Sequence, residues 1–284
     1  MDASFEFFGG TVPASPVVVS VPHAGRDYPL SLRAAARVPV AALMPLEDRH
    51  VDAVAQAART VETMLVQRRA RAWIDLNRGE DERDFRIDEG ADQRAQPQAS
   101  AKVRSGLGLI PRRAGRAGDL WRRRFGDAEV TQRIVDDHRP YHRALADALA
   151  AARARFGIAV LIDVHSMPPI PDGPAIVLGD RFGRSAGPRF VARLEAETMA
   201  ERYRSALNTP YAGGHILDRH GDPANGVHAI QLEIDRSAYL DAGLQEPGDG
   251  FPRMTQLLGR MLAALADEAL AQAMLGHRLA DAAE

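Results

Sequence analysis

The chain is punctuated by short apolar runs that end in polar or ionisable residues. Residues 158–162 are continuous and aliphatic, and Asp163, His165 and Ser166 follow before the turn at Pro168 and Pro169. A run of that length closed by a turn predicts a buried strand. The pattern recurs at 16–21, which leads to Pro22, His23 and Gly25; at 73–76, which leads to Asn77 and Arg78; and at 227–234, which carries Glu233 and leads to Asp235 and Arg236. A further short strand is predicted at 175–178. Apolar spacings of three and four predict helices. The clearest covers 127–155, with Val130, Ile134, His138, Tyr141, Leu145 and Leu149 at spacings of three and four and Pro140 inside it, where a kink or a junction is expected. Helices are also predicted at 53–66, 188–203 and 250–274. Strands alternating with helices give the α/β class, with three layers around a mostly parallel or mixed central sheet.

Nothing in the middle of the chain reads as a linker between self-sufficient halves, so residues 1–284 are expected to form a single domain. Residues 79–118 are charged, glycine-rich and broken by proline, and predict a long irregular excursion. Long loops within a domain are commonly functional. The stretch 105–112 inside it is apolar enough to form a wall over a site, with Arg112 facing in.

Composition then narrows the chemistry. A hydrophobic share of 45% and a charged share of 26% suit a globular protein with a substantial core. The formal charge of -2 gives no global field for nucleic acid or an anionic membrane. The arginines clustered at 112–124 lack interleaved aromatics and read as a solvated or anion-facing segment. Cysteine is absent, so disulfides, thiolate nucleophiles and Cys-based zinc sites are excluded, and any metal must be held by His and carboxylate. No basic, apolar leader and no spanning run stand in the sequence, which predicts a cytoplasmic protein.

In open α/β sheets, ligands bind beyond the carboxyl ends of strands. His23 and His165 are therefore presented where a site would be built, and an acid from the cluster Glu47, Asp48, His50, Asp52 could complete a metal centre. Hydrolytic zinc takes about three such protein ligands and keeps a position for water. Glu233 suits a general base, and Arg78 suits a substrate carboxylate. Gly213 and Gly214 permit close backbone approach to a ligand. His138 and His142, on one helical face, read as packing or surface residues. A serine hydrolase built on Ser166 and His165 is a poor alternative, because adjacent residues of an extended chain point to opposite sides.

Eight segments together resemble one family. They are Val-Pro-His-Ala-Gly around His23, Glu-Asp-Arg-His-Val-Asp from Glu47, Asp-Leu-Asn-Arg from Asp75, Gly-Leu-Gly-Leu-Ile-Pro-Arg from Gly106, Pro-Tyr-His from Pro140, Asp-Val-His-Ser from Asp163, Asn-Thr-Pro-Tyr-Ala-Gly-Gly-His from Asn208, and Gln-Leu-Glu-Ile-Asp-Arg from Gln231. In this order, over nearly the whole chain, they resemble the N-formylglutamate amidohydrolases, whose fold is similar to that of the zinc carboxypeptidases. The resemblance implies zinc, or another divalent metal, on His23 and His165, with Glu233 as base and Asn77 and Arg78 holding a substrate carboxylate. Carboxypeptidases carry a glutamate ligand three positions after the first histidine, where this chain has Arg26. The third ligand is therefore assigned to Asp48, ahead of Asp27, Asp52 and His50.

The implied reaction is hydrolysis of a small anionic N-acyl amino acid, foremost N-formyl-L-glutamate to formate and L-glutamate, within histidine degradation. Arg112, or an arginine within 213–219, would take the side-chain carboxylate, and Gly213, Gly214 and His215 would line the substrate pocket. Two alternatives stand beside it: hydrolysis of a different N-acyl amino acid, and a non-catalytic protein on the same fold that binds an anionic metabolite. The oligomeric state is not readable from these residues.

Overall fold

Runs of Val, Ile, Leu and Ala form the central sheet. The computed structural model describes residues 4–10, 12–92, 100–115 and 117–281. Its strands are β1 (Phe5–Phe8), β2 (Val17–Val21), β3 (Thr63–Gln67), β4 (Ala159–Met167), β5 (Ile176–Gly179), β6 (Ser205–Leu207) and β7 (Val227–Asp235). Its helices are α1 (Leu30–Ala35), α2 (Val51–Ala58), α3 (Ala101–Ser105), α4 (Asp127–Arg133), α5 (Arg139–Phe156), α6 (Pro188–Ala200), α7 (His215–His220) and α8 (Phe251–Asp281).

Two compact units are formed. The first comprises Met1–Glu6, Pro22–Asp48 and Val66–Ala144; the second comprises Phe7–Val21, Arg49–Leu65 and Leu145–Glu284. The seven strands run in the order β1-β3-β2-β4-β7-β5-β6 and lie in the second unit, except for the first two residues of β1 and the last two of β3. β2, β4 and β7 are mutually parallel, β5 is antiparallel to β7, and β6 is parallel to β5. This is the mixed α/β sheet that the alternating pattern predicts. Every residue of β2 and β4 is buried, which explains why these strands read as unbroken apolar runs rather than as alternations. Helices α2 and α8 pack against β2 and β4, and α6 packs against α8. Among the described residues, no helix is long and apolar enough to cross a membrane.

The structure departs from the sequence pattern in four places. The helix expected over 53–66 stops at Ala58, and its second half is β3. The Glu62 carboxylate accepts the N–H groups of Thr60 (2.8 Å) and Val61 (3.1 Å), folding a turn there, and β-branched Thr60, Val61 and Thr63 favour leaving the helix. The strand expected at 73–76 is an irregular segment: Trp73 N bonds Ala70 O at 2.8 Å and Asp75 N bonds Leu109 O at 2.8 Å, so no ladder forms, although Ile74 and Leu76 are buried as a strand would bury them. The aromatic strand β1 carries only half-buried and exposed residues and gives little periodic signal. Last, β4 runs on to Met167, so that His165 stands on the strand itself rather than beyond its end.

The helix over 127–155 forms, but as α4 and α5 joined by a π turn at Ile134–His138, just ahead of Pro140. Among its described residues, the excursion at 79–118 is irregular apart from α3, which Ser100 caps by accepting from Val103 N at 3.3 Å. Residues 1–3, 93–99 and 116, on which parts of the reading of the leader and of the excursion fall, lie outside the described residues.

Candidate metal and substrate site

In the first unit, His23 is buried and its Nε2 stands 2.7 Å from Oδ1 of Asp75. A carboxylate only accepts, so Nε2 carries the hydrogen and Nδ1 is the nitrogen with a lone pair. Nδ1 lies 3.6 Å from Oδ2 of Asp48, and Asp48 N donates to His23 O at 2.9 Å. That separation is too long for a hydrogen bond. It is close to the roughly 3.3 Å between two ligands that each sit about 2.0–2.1 Å from one tetrahedral ion.

Of the candidate third ligands, Asp48 is the one that faces His23. Asp27 is half-exposed and paired with Arg69 at 2.6 Å; His50 turns its Nε2 to Gln245 O at 3.0 Å in the second unit; Asp52 stands in the first turn of α2. A buried bond from the Tyr28 hydroxyl to Glu47 holds the residue before Asp48, a contact the sequence did not announce.

Asp75 is a node. Besides His23, its Oδ1 accepts from Asn77 N at 2.9 Å and its Oδ2 from Arg71 Nε at 2.8 Å, with Arg78 Nε at 3.9 Å. Full burial pushes its carboxyl up, but Arg71, His23 and Arg78 together with the His23 hydrogen bond outweigh this and hold it well below the usual carboxylate range.

Arg78 is buried. Its Nε donates to Leu107 O at 2.8 Å and its Nη1 to Asn77 O, which leaves Nη2 without a partner among the described residues. One nitrogen of this guanidinium thus stays uncommitted. Arg112 is also buried, but it bonds Asp84 (2.8 Å) and Asp119 (2.7 Å), and its Nη2 has no partner among the described residues. The two carboxylates together outweigh its single charge, and the cluster braces the excursion.

In the second unit, His165 repeats the arrangement of His23. Its Nε2 lies 2.7 Å from Asp163 Oδ2, and Asp163 Oδ1 accepts from Ser20 Oγ at 2.7 Å across the β2–β4 pair. His165 is therefore also an Nε2–H imidazole that presents Nδ1. Residues directly opposite in a sheet share a face, and His165 pairs with Glu233 as Asp163 pairs with Gln231. Gln231 Nε2 donates to Glu233 Oε1 at 2.8 Å. Ser166 pairs with Ile234 on the other face and accepts from Arg236 Nε at 3.1 Å, which leaves no nucleophile–base pair with His165. The two Asp–His pairs were missed from sequence; for Asp163 and His165 the signal was available, since residues two apart on a strand share a face.

Gly213 and Gly214 answer to their own loop. Gly213 has φ of 107°, and a Cβ there would meet Leu217 Cδ2 at 2.5 Å; Gly214 caps α7, which His215 opens.

The His23 and Asp48 donors, a buried imidazole Nδ1 and a buried carboxylate oxygen, fit a divalent cation, and His165 offers a second buried Nδ1; a buried acid fixes each tautomer.

A family model for N-formylglutamate amidohydrolase matches residues 15–240. The chain is 32% identical over 251 residues to the N-formylglutamate deformylase of Pseudomonas aeruginosa, covering 85% of this chain and 87% of that protein. It is 32% identical over 254 residues to the N-formylglutamate deformylase of Pseudomonas putida, covering 85% and 86%. The crystal structure of the N-formylglutamate amidohydrolase from Ralstonia eutropha JMP134 superposes with a TM-score of 0.84 at 32% identity, covering 94% of this chain and 98% of that one. The chain belongs to the N-formylglutamate amidohydrolase family.

Proposed function

We propose that the protein hydrolyses N-formyl-L-glutamate to formate and L-glutamate, with a divalent metal, foremost zinc, held by His23, Asp48 and His165. The observation that carries this reading is the side-by-side register of His165 and Glu233, which sets a ligand-type imidazole next to a carboxylate on one face of the sheet, in a chain with deformylase relatives. Support also comes from the chain path. His23 follows β2 by two residues, and β2 is the parallel neighbour of β4, on which His165 stands.

When bound, such a metal polarises the formyl carbonyl and acidifies water to a pKa of about 7. Glu233 takes a proton from the attacking water as its oxygen adds to the formyl carbon. The same carboxyl then delivers that proton to the departing nitrogen as the C–N bond breaks, giving formate and the free amine. Asn77 and Arg78 Nη2 hold a substrate carboxylate, an anchor remote from the formyl carbon.

The test is release of free amine from a panel of N-formyl, N-acetyl and N-succinyl amino acids, with and without a chelator, on protein of known metal content. Chelator-sensitive turnover that prefers N-formylglutamate is expected. Turnover that prefers another acyl amino acid discards the substrate and keeps the reaction; bound metal without turnover of any member discards the enzyme.

A further inference from the structure

One helix grips the segment that carries Asn77 and Arg78 at three alternate residues. Its geometry begins at Pro140, which has no N–H and whose ring would clash with the carbonyl of Asp136 in a regular helix. The π turn Ile134–His138 widens the helix at that carbonyl, and such turns are frequent at functional sites. His138, the last residue of that turn, and His142 pack with ring centroids 4.4 Å apart and planes tilted by 47°, both with no exposed surface. His138 Nε2 bonds Arg78 O at 2.8 Å, and His142 Nε2 bonds Leu76 O at 3.0 Å. Arg139, between them, holds the Glu80 carboxylate through Nε (3.0 Å) and Nη2 (2.8 Å).

Carbonyl oxygens only accept, so each imidazole donates from Nε2. Burying two imidazoles costs desolvation that apolar side chains of similar volume would avoid. Their contacts go to the carbonyls on either side of Asn77. The Arg78 guanidinium is itself tied to Asn77 O and Leu107 O, so its direction follows the backbone that the histidines hold.

We infer that His138 and His142 are positioning residues for the substrate-carboxylate grip of Asn77 and Arg78. The inference rests on the proposed reaction, in which Arg78 binds a substrate carboxylate and takes no part in proton transfer. Loosening the clasp should therefore weaken substrate binding and leave the chemical step.

The test compares H138L, H142L, H138Q and H142Q with the wild type in the metal-loaded enzyme, using N-formylglutamate. Each Leu variant should raise KM by about tenfold and change kcat by less than about threefold, since one hydrogen bond to the carboxylate-binding segment is lost. Gln places an amide N–H near the position of Nε2 and should return KM to within about threefold of the wild type. Leu variants with unshifted KM, a fall in kcat without a rise in KM, or Gln variants as impaired as Leu would each overturn the inference. If the Leu variants do not fold, H138N and H142N, polar but too short to reach the carbonyls, take their place against Gln with the same expected contrast. Wild-type protein that turns over nothing in the panel refutes the reaction itself, an outcome distinct from turnover with an unshifted KM in the variants.

Discussion

Replacing Asp75 by Asn changes one oxygen for an amide and removes one buried charge. Oδ1 accepts from His23 Nε2 and Asn77 N, and Oδ2 accepts from Arg71 Nε with Arg78 Nε at 3.9 Å. The amide keeps its oxygen toward His23 and Asn77, and its NH2 group then meets guanidinium donors. Arg71 and Arg78, 17% and 7% exposed, lose a buried counter-charge. Breaking a buried ion pair by deleting one partner costs about 3–5 kcal/mol. Because Arg71 retains some contact with water, the low end, about 3 kcal/mol, is expected, a large share of a typical stability of about 5–15 kcal/mol. Urea unfolding of D75N in a chelator, so that ligand linkage does not contribute, reads this loss directly. A double-mutant cycle with R71M should return a coupling of about 1.5–3 kcal/mol. A folded D75N that loses less than about 1 kcal/mol, or a cycle that is additive, would refute the account of Asp75 as the charge that organises this segment.

Two further outcomes follow. E233Q keeps the hydrogen bond from Gln231 through its amide oxygen, so it should fold and bind metal as the wild type does while kcat falls by about 10²–10⁴; a drop below about tenfold would remove Glu233 from the role of base. Burial holds the His228 imidazole below its usual pKa, so in the window between its folded value and about 6.5 the unfolded chain binds a proton that the folded chain does not, and stability falls as pH drops through that window. Asn at that position still offers an oxygen to Gly187 N, which bonds His228 Nδ1 at 3.1 Å, and H228N should therefore lose less of its urea midpoint between about pH 7.5 and 5.5 than the wild type; equal losses would contradict the assignment.

The sequence made legible whatever the sheet positions. β2, β4 and β7 are buried on both faces, so their aliphatic runs and their polar ends pointed at His165 and Glu233, and the residues after β2 at His23. It misled where burial and strand geometry part company. Residues 73–76 bury Ile74 and Leu76 without a ladder, because the N–H groups of Trp73 and Asp75 bond Ala70 O and Leu109 O instead. The engagement of Arg112 by Asp84 at 2.8 Å was not legible, because the two residues stand 28 positions apart in the chain. The partnership of His23 with Asp75 spans 52 residues and left no local trace, whereas Asp163 and His165, two apart on one strand, did.

This contrast explains how two imidazoles reach the same chemical state by different means. His165 is fixed by the sheet: the β2–β4 register brings Ser20 to Asp163, and Asp163 sets the tautomer of the histidine two residues on. His23 and the Asn77–Arg78 pair lie outside any ladder, so nothing in a register fixes them. Their positions come from individual polar contacts: Asp75 holding His23, Asn77 N and Arg71; Leu107 O holding Arg78; and His138 and His142 holding the carbonyls of Arg78 and Leu76. A segment placed in this way concentrates its dependence in a few buried groups. Because Asp75 serves a ligand-type histidine and the carboxylate-binding segment at once, a single substitution there disturbs both, whereas one at Asp163 acts on His165 and the β2–β4 pairing alone.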